Sequence, residues 1–588
     1  LSPLSSSKPV TLSPSFDILH ILRSFPKGTS AGPSGLSVQH LLDAASVPLH
    51  SPICATLRGV VNVLASGKAP KSVSPFLAGA RLIALNKKNP RESSALTDVR
   101  PIAVGETLRR LTGKCICAIM RDRFLPFFQP SQFGVACKAG AEKVVHSVRK
   151  CIENDWESGD FAVFKVDMSN AFNRVSRQAV LDECGLFFPE LLPWVSWCYD
   201  SHSILWHPKG TISSQSGVQQ GDPLGPMLFA LVLRKLVSSI EADDGCFDLS
   251  LNLWYLDDGV LAGERSAVVR ALHLIEELGP HLGLHINLPK CEMFSKNGNS
   301  HFPDTVKSSI LPHLEILGSP IGDFIYCSRF FAEKCSLFRA LLRALTDVSA
   351  VDLHVAISLL RTCGGYCKFV HLARTTPTSL CSDSLKLFDE EMRVCFSSCL
   401  AVDVPDTQWH QAQLCPKLGG LGLRSLSLHS CAAFISSLAA SDLGSPDNVH
   451  LQQAVSHFNA LVSPQDSLTV EAVLNTPPQQ KALSFKLDTH MFQALVSSAS
   501  PANKARILSV SAPHASSWVS AIPSVGLNMH LDTEECQVAI RWWLGLNTST
   551  ASSCPFCPGA VLDPLGHHAT SCRHGGDVVT RHNHLRDT

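Results

Sequence analysis

The chain has 588 residues, of which 45% are hydrophobic and 17% charged, so it is long enough for several lobes with buried cores and is not compositionally disordered. Lys and Arg together number 50, as do Asp and Glu, so the formal net charge is zero. The chain therefore has no global positive field with which to attract nucleic acid. Any surface for an anionic partner must be local. The 22 cysteines are scattered through apolar runs, which argues against a small disulfide framework and favours a reducing compartment.

The ends of the chain give little information about targeting. The first eleven residues are rich in Ser and Pro and lack the apolar core of a signal peptide. No apolar run is long enough for a membrane helix, so we expect no membrane partner. Leu1 is not a methionine, and we therefore expect the chain to be a fragment.

The N-terminal elements are mixed. Residues 16–46 predict a helix, a Gly/Pro/Ser loop and a second helix, and residues 81–88 predict a strand followed by a basic turn. Residues 101–120 begin extended and become helical. On that helix Arg109, Arg110 and Lys114 recur near one face, which makes them candidates for contacting phosphate or, alternatively, parts of a solvated face.

Residues 161–168 alternate as a strand does, with Asp167 at its end. Residues 217–221 form a tight loop before a long apolar helix that extends through Leu236. Asp222 suits the N-cap of that helix and Pro223 its first position.

Two adjacent carboxylates, Asp257 and Asp258, lie at a turn between strand-like residues 251–254 and 260–262. Carboxylates about 4 Å apart repel by about 4 kcal/mol at an effective dielectric of about 20, and a divalent cation reverses that sign. Taken alone, such a pair is more typical of an ordinary surface turn. Its interpretation depends on the rest of the chain.

An amphipathic helix follows the hairpin, and residues 284–290 predict a strand and a turn. The order strand, helix, hairpin, helix, strand predicts a split βαβ arrangement, in which an antiparallel sheet is backed by helices. The fold class is therefore α+β. Residues 330–440 have mainly helical spacing, and residues 445–478 predict a looser connector.

The order of several motifs resembles that of reverse transcriptases. The series is Asp167, Phe172, residues 217–223 with Gln220 and Gly221, the Asp257-Asp258 turn, and Lys290. Four further motifs resemble the reverse transcriptase of non-LTR, LINE-like retrotransposons, over roughly residues 27–323. They are Arg100-Pro101-Ile102, Gln132-Phe133-Gly134, Asn170-Ala171-Phe172-Asn173 and Leu317-Gly318-Ser319-Pro320.

This resemblance implies a right-hand polymerase with fingers, palm and helical thumb, followed by a mostly helical connector and a small zinc knuckle. The expected parts are residues 1–75 as an N-terminal extension, 76–325 as fingers and palm, 326–444 as a thumb-like region, 445–550 as the connector and 551–588 as the knuckle.

The resemblance also implies a two-metal nucleotidyl transfer with Mg²⁺. Asp167 and Asp257 would bridge the metals, Asp258 would support one of the metals or the local charge, and the Met168 backbone carbonyl would join these ligands. Lys290 would protonate the leaving pyrophosphate, with an ordinary turn lysine as the alternative.

Substrate contacts are implied in the same way. Phe172 would lie beneath the sugar and exclude a 2′-hydroxyl, whereas an isolated Phe would more often be a core residue. Gln220 and Gly221 would line the nucleotide and template pocket. The residues expected to hold the triphosphate are Lys87, Lys88 and Arg100.

A second site is predicted near the C-terminus. Cys554, Cys557 and Cys572, with His567 or His568, have the types and spacing of a structural zinc site. A redox pair or buried thiols are the alternatives. With His567 as ligand, the spacing resembles the CCHC element of non-LTR retrotransposons of the restriction-like-endonuclease type. Arg581-His582-Asn583 extends that resemblance, and we expect the chain to stop before a nuclease.

The resulting functional prediction is an RNA-directed DNA polymerase acting in target-primed reverse transcription. Its partners would be an RNA template, a DNA primer or target site, and deoxynucleoside triphosphates, with synthesis in the cytoplasm and function in the nucleus. A non-catalytic nucleic-acid-binding remnant and a viral-type RNA-dependent RNA polymerase are the alternatives.

Overall fold

The structure is a computed structural model, and it describes residues 8–45, 52–86, 99–574, 578–580 and 582–583. Its contacts divide the chain into a first unit that ends at Pro312 and a second that begins at His313. Each unit is described by itself. None of the helices in the described ranges has the length and apolarity needed to cross a membrane.

The described residues of the first unit form two sheets. In order along the sheets, the strands are β2-β1-β4-β5 in sheet A and β6-β7-β3-β8-β9 in sheet B. The bounds are β1 Ala80–Asn86, β2 Val99–Gly105, β3 Phe161–Val166, β4 Ser203–His207, β5 Gly210–Ser214, β6 Leu249–Tyr255, β7 Asp258–Glu264, β8 Glu292–Phe294 and β9 Lys307–Ser309.

Strand β3 is the centre of sheet B. It pairs antiparallel with β7 on one side and with β8 on the other. All its side chains are buried except that of Lys165, which is half-buried, so both faces of the strand are covered. The strand predicted from this apolar run is thus confirmed. Asp167 directly follows its last residue, Val166.

Helices pack against strands of both sheets in the first unit. The longest apolar one, α10, packs against α8 and α11 in the main core of this unit. The bounds are α1 Ile18–Arg23, α2 Val38–Ala44, α3 Pro52–Ala65, α4 Ser74–Leu77, α5 Thr107–Phe128, α6 Gly140–Asp155, α7 Ala171–Arg174, α8 Arg177–Phe187, α9 Leu192–Tyr199, α10 Gly225–Glu241 and α11 Arg265–Leu278.

Two predictions about local structure were wrong. Helix α10 begins at Gly225, and Asp222 accepts a hydrogen bond from the amide of Leu224 within the preceding loop instead of capping the helix. Residues 284–290 form a single bridge between Met168 and Ile286 and a short 3₁₀ turn, Leu288–Lys290, instead of a strand. The strand that pairs with the second side of β3 is β8, which begins two residues after this 3₁₀ turn.

The second unit, where the structure describes it, is mainly helical with two small hairpins. Its bounds are β10 Leu314–Ile316, β11 Ser319–Ile321, β12 Ser552–Ser553 and β13 Val561–Leu562, with α12 Phe324–Ser349, α13 Leu353–Thr362, α14 Val370–Thr375, α15 Ser382–Leu400, α16 Asp406–Gln413, α17 Leu426–Ala439, α18 Val449–Ala460, α19 Val470–Asn475, α20 Gln480–Ser498, α21 Pro501–Val510, α22 Ser517–Ser520, α23 Thr533–Leu544 and α24 His567–Ser571. The predicted α+β class, with a helical C-terminal part, is confirmed.

Candidate active site

Three carboxylates meet at one end of sheet B. Asp167 follows β3, Asp257 lies in the two-residue connection between β6 and β7, and Asp258 is the first residue of β7. The register pairs Val166 with Gly259, which places the end of β3 beside the hairpin turn. All three acids line a cleft of about 730 Å³.

The carboxylates destabilise one another's charge. Burial, followed by repulsion from Asp258 and a smaller repulsion from Asp167, raises the pKa of Asp257 to about 6. The pKa of Asp258 is also raised, by burial and by Asp167, although the charge of Lys165 opposes this shift. Carboxylate oxygens are the ligands that Mg²⁺ prefers, and a cation relieves this repulsion. The donor set therefore fits divalent metal ions.

Asp167 is oriented by Asn287, which no local sequence pattern marks as a functional residue. The side-chain amide of Asn287 donates to Asp167 Oδ1 at 2.9 Å, and the Asn287 backbone amide donates to the Asp167 carbonyl at 2.8 Å. Asn287 also lines the cleft, as does Lys290. The sequence pattern around Asn287 predicted only a strand and gave no sign of a role at the site. Asn287 reaches Asp167 because its segment folds back against the end of β3.

Phe172 and the Gln220-Gly221 loop form another wall of the cleft. The Phe172 ring stacks on Phe229 with centroids 4.6 Å apart, so it is half-buried and held in place. The Gln220 carbonyl accepts a hydrogen bond from the amide of Ala103, and Gly221 has a φ of +117°. A Cβ at Gly221 would lie 2.4 Å from the Ala103 carbonyl oxygen, which explains the glycine there.

The expected triphosphate contacts are only partly described. Arg100 lies exposed near the start of β2 and lines the cleft, where its charge opposes the raised pKa of both Asp257 and Asp258. Lys87 and Lys88 lie outside the described residues. Met168 lines the cleft beside Asp167.

Arg109 is buried and paired with protein groups, so it fits neither of the two alternatives predicted for it, a phosphate contact or a solvated helix face. Its side chain is 1% exposed and its guanidinium donates to Asp222 Oδ2 at 2.7 Å, to Gln219 Oε1 at 2.6 Å and to the Tyr199 hydroxyl at 3.0 Å. This buried network holds the loop that leads to Gly221. The other two basic residues of this helix also bind protein groups. Arg110 donates to the Ser30 carbonyl and Lys114 to the Ser24 carbonyl.

Residues 85–315 match the family model described as reverse transcriptase (RNA-dependent DNA polymerase). The chain contains a reverse transcriptase domain. Such a domain is that of an RNA-directed DNA polymerase, a nucleotidyltransferase. The matched segment contains every residue that lines the cleft.

Solved telomerase structures are also similar to parts of the chain. An apo telomerase from Candida tropicalis, truncated from its C-terminal domain, is 13% identical over 40% of this chain and 55% of its own, with a TM-score of 0.29. A Candida albicans telomerase in complex with a TWJ fragment of telomeric RNA is 11% identical over 66% of this chain and 67% of its own, with a TM-score of 0.32. This chain thus spans about half of the first telomerase.

The cysteines near the C-terminus form a compact cluster with one histidine. Ligand atoms of Cys554, Cys557, His568 and Cys572 all lie within 4.8 Å of one another. The Cys572 sulfur is 3.9 Å from that of Cys554 and 3.5 Å from that of Cys557. His568 Nε2 is buried with no hydrogen-bond partner among the described residues. A three-thiol, one-imidazole set with an unpaired buried nitrogen fits zinc.

His568, and not His567, belongs to this cluster, which corrects the order in which the two histidines were preferred. His567 is the first residue of α24, and its Nδ1 lies 3.7 Å from Asp563 Oδ1. Successive helical residues point in different directions, so only one of the pair faces the thiols. His582 and Asn583 are described, whereas Arg581 is outside the described residues.

Proposed function

We propose that this chain is the RNA-directed DNA polymerase of a non-LTR retrotransposon of the restriction-like-endonuclease type. The observation that supports it best is the convergence of Asp167, Asp257 and Asp258 in one cleft with Phe172 and the Gln220-Gly221 loop.

Two Mg²⁺ ions would be held by Asp167 and Asp257, with Asp258 and the Met168 carbonyl as supporting ligands. When bound, the ions would lower the pKa of the primer 3′-hydroxyl and neutralise charge at the α-phosphate and on the leaving oxygens. The hydrogen bond from Asn287 keeps one oxygen of Asp167 occupied and so fixes the orientation in which the carboxylate faces the cleft.

The remaining residues of the cleft would select and hold the nucleotide. Phe172, fixed by its stacking on Phe229, would occupy the space that a 2′-hydroxyl needs. The Gly221 backbone would approach the incoming base pair closely. Arg100 would bind the triphosphate together with Lys87 and Lys88, and Lys290 would donate a proton to the leaving pyrophosphate.

The partners would be an RNA template and the 3′-end of a nicked DNA target, as in target-primed reverse transcription. Support comes from the non-LTR motifs and from the cysteine-rich C-terminal cluster, which would bind one structural Zn²⁺. The expected parts, from the N-terminal extension to the knuckle, and a nuclear site of action belong to the same proposal.

The test is incorporation of deoxynucleotides on a primed RNA template with Mg²⁺, comparing the intact chain with Asp257→Asn and Asp167→Ala. We expect turnover by the intact chain and a loss of at least about 10³-fold in either variant, because each removes a carboxylate from the metal-binding set. Tight RNA binding by a folded but inactive intact chain would contradict the proposal and favour the non-catalytic remnant. A preference for ribonucleotides would favour an RNA polymerase.

A further inference from the structure

The turn that contains Asp257 has an unusual backbone at the residue before it. Leu256 has a φ of +58°, in the left-handed region that costs a residue with a side chain about 1 to 2 kcal/mol. Glycine and asparagine are the usual residues in such a turn. Something outside the hairpin must hold Leu256 in place.

The side chain of Gln132 makes that contact. Gln132 Oε1 accepts a hydrogen bond from the Leu256 amide at 2.8 Å, and Gln132 Nε2 donates to the Leu256 carbonyl at 3.2 Å. One amide side chain thus satisfies both backbone groups of the strained residue. Gln132 is only 4% exposed, so water does not compete for these bonds.

The segment around Gln132 is itself fixed against β6. The amide of Trp254 donates to the Ser131 carbonyl at 2.7 Å, and the amide of Phe133 donates to the Trp254 carbonyl at 2.8 Å. The Gly134 amide also donates to Gln132 Oε1, at 2.8 Å. The backbone pairing of residues 131–133 with Trp254 therefore continues around the turn through the Gln132 side chain.

Because Gly134 has no side chain, the turn that contains Leu256 can pack directly against it. A Cβ at this position would lie 2.6 Å from Leu256 Cγ and 2.8 Å from the Leu256 backbone nitrogen. The nitrogen is part of the hairpin and cannot move without moving Asp257. Gln132 holds the turn by hydrogen bonds, and Gly134 allows it to approach.

We infer that Gln132 is a positioning residue that holds the Leu256-Asp257 turn, and with it the Asp257 carboxylate, in the place where metal ions bind. The metal-binding part of this inference rests on the proposed function. Gln132 does not line the cleft, so it acts through Leu256. The left-handed conformation and the position of the acid are then set by one buried amide more than 120 residues earlier in the chain.

The test compares Gln132→Met with Gln129→Met by hydrogen–deuterium exchange on the whole protein without Mg²⁺. Methionine keeps the volume of Gln132 but removes both bonds to Leu256, so we expect exchange in residues 250–262 to be at least about tenfold faster. Gln129 is the matched control, because it lies in the same loop and donates to the Gln132 carbonyl without contacting Leu256. In Gln129→Met, the exchange rate of residues 250–262 should stay within about twofold of that in the unsubstituted protein.

Two further measurements connect the turn to function. We expect Gln132→Met to weaken Mn²⁺ binding, measured by electron paramagnetic resonance, by about tenfold and to lower kcat by about 10²-fold, with KM for the nucleotide changed less than threefold. Gly134→Ala should speed exchange in the same peptide, because its Cβ displaces Leu256.

Unchanged exchange in residues 250–262 for both folded variants, or a uniform increase over the whole chain, would overturn the inference. If Gln132→Met does not fold, Gly134→Ala decides. Because exchange is measured without metal or substrate, an inactive intact chain would count against the proposed function and leave the exchange result valid.

Discussion

Asp257 is a residue at which folding and the proposed catalysis conflict. Its pKa of about 6, against about 3.9 in an unfolded chain, means that the folded protein binds the proton more tightly than the unfolded chain does. Ionisation of Asp257 therefore opposes folding. The destabilisation is absent below about pH 4, grows between pH 4 and 6, and is complete above pH 6.

We predict that Asp257→Asn abolishes incorporation and yet raises the free energy of unfolding by about 2 kcal/mol at pH 7.5 in Mg²⁺-free buffer. Urea unfolding at pH 7.5 and at pH 4 measures this. The gain should disappear at the lower pH, where the native carboxyl is protonated as well. An equal gain at both pH values would mean that the shift does not come from ionisation.

Phe172 allows a test of sugar selection. We predict that Phe172→Ala lowers the preference for deoxynucleotides over ribonucleotides by at least about tenfold, because under the proposed function its ring occupies the space of the 2′-hydroxyl. Single-nucleotide incorporation with each nucleotide type measures the ratio.

Phe302→Ala is the matched control for Phe172. Phe302 also stacks on a phenylalanine of the same core, with its ring centroid 5.5 Å from that of Phe164, but it does not line the cleft. Its loss should lower stability without changing the ratio. A similar change of ratio in both variants would assign the effect to loosened packing.

At the scale of elements, local patterns predicted what local interactions determine. Strand β3 and the β6–β7 hairpin follow from apolar runs and a turn, and the structure contains both. Asp222 was misassigned as a helix cap because Arg109, 113 residues away, binds its carboxylate. The contacts of Asn287 with Asp167 and of Gln132 with Leu256 also join residues that are far apart in the chain. Local sequence patterns therefore could not predict them.

His568 belongs to the C-terminal cluster and the adjacent His567 does not, so the two histidines make a matched pair of variants. We predict that His568→Ala lowers the zinc retained after dialysis from about one ion per chain to well below one half, because three thiolates leave the fourth position open. His567→Ala should retain the full amount. Elemental analysis measures both, and equal retention would show that either imidazole can serve.

At the scale of the whole molecule, each unit has cores of its own. The core clusters of the first unit contain residues up to Val306, and those of the second begin at Phe330. A domain with its own hydrophobic core can in principle fold alone, and multidomain proteins depart from a single two-state transition. Two calorimetric transitions are therefore expected.

We predict that one large-to-small substitution in each core separates the two transitions. Leu231 and Phe388 are both 0% exposed, and replacing either by Ala should cost about 3 to 5 kcal/mol. Leu231→Ala should lower one transition and Phe388→Ala the other, measured by differential scanning calorimetry. A single transition lowered equally by both variants would show that the units unfold together.

The strand order of sheet B also has a consequence during synthesis on the ribosome. The central strand β3 is made first, and both its neighbours, β7 and β8, come at least about 90 residues later. At about 5 to 20 residues per second, β3 waits on the order of 5 to 20 s for a partner. During that interval Phe-Ala-Val-Phe-Lys-Val is an exposed, aggregation-prone segment. A nascent chain paused within this interval should therefore be a substrate for chaperones that bind extended apolar peptides.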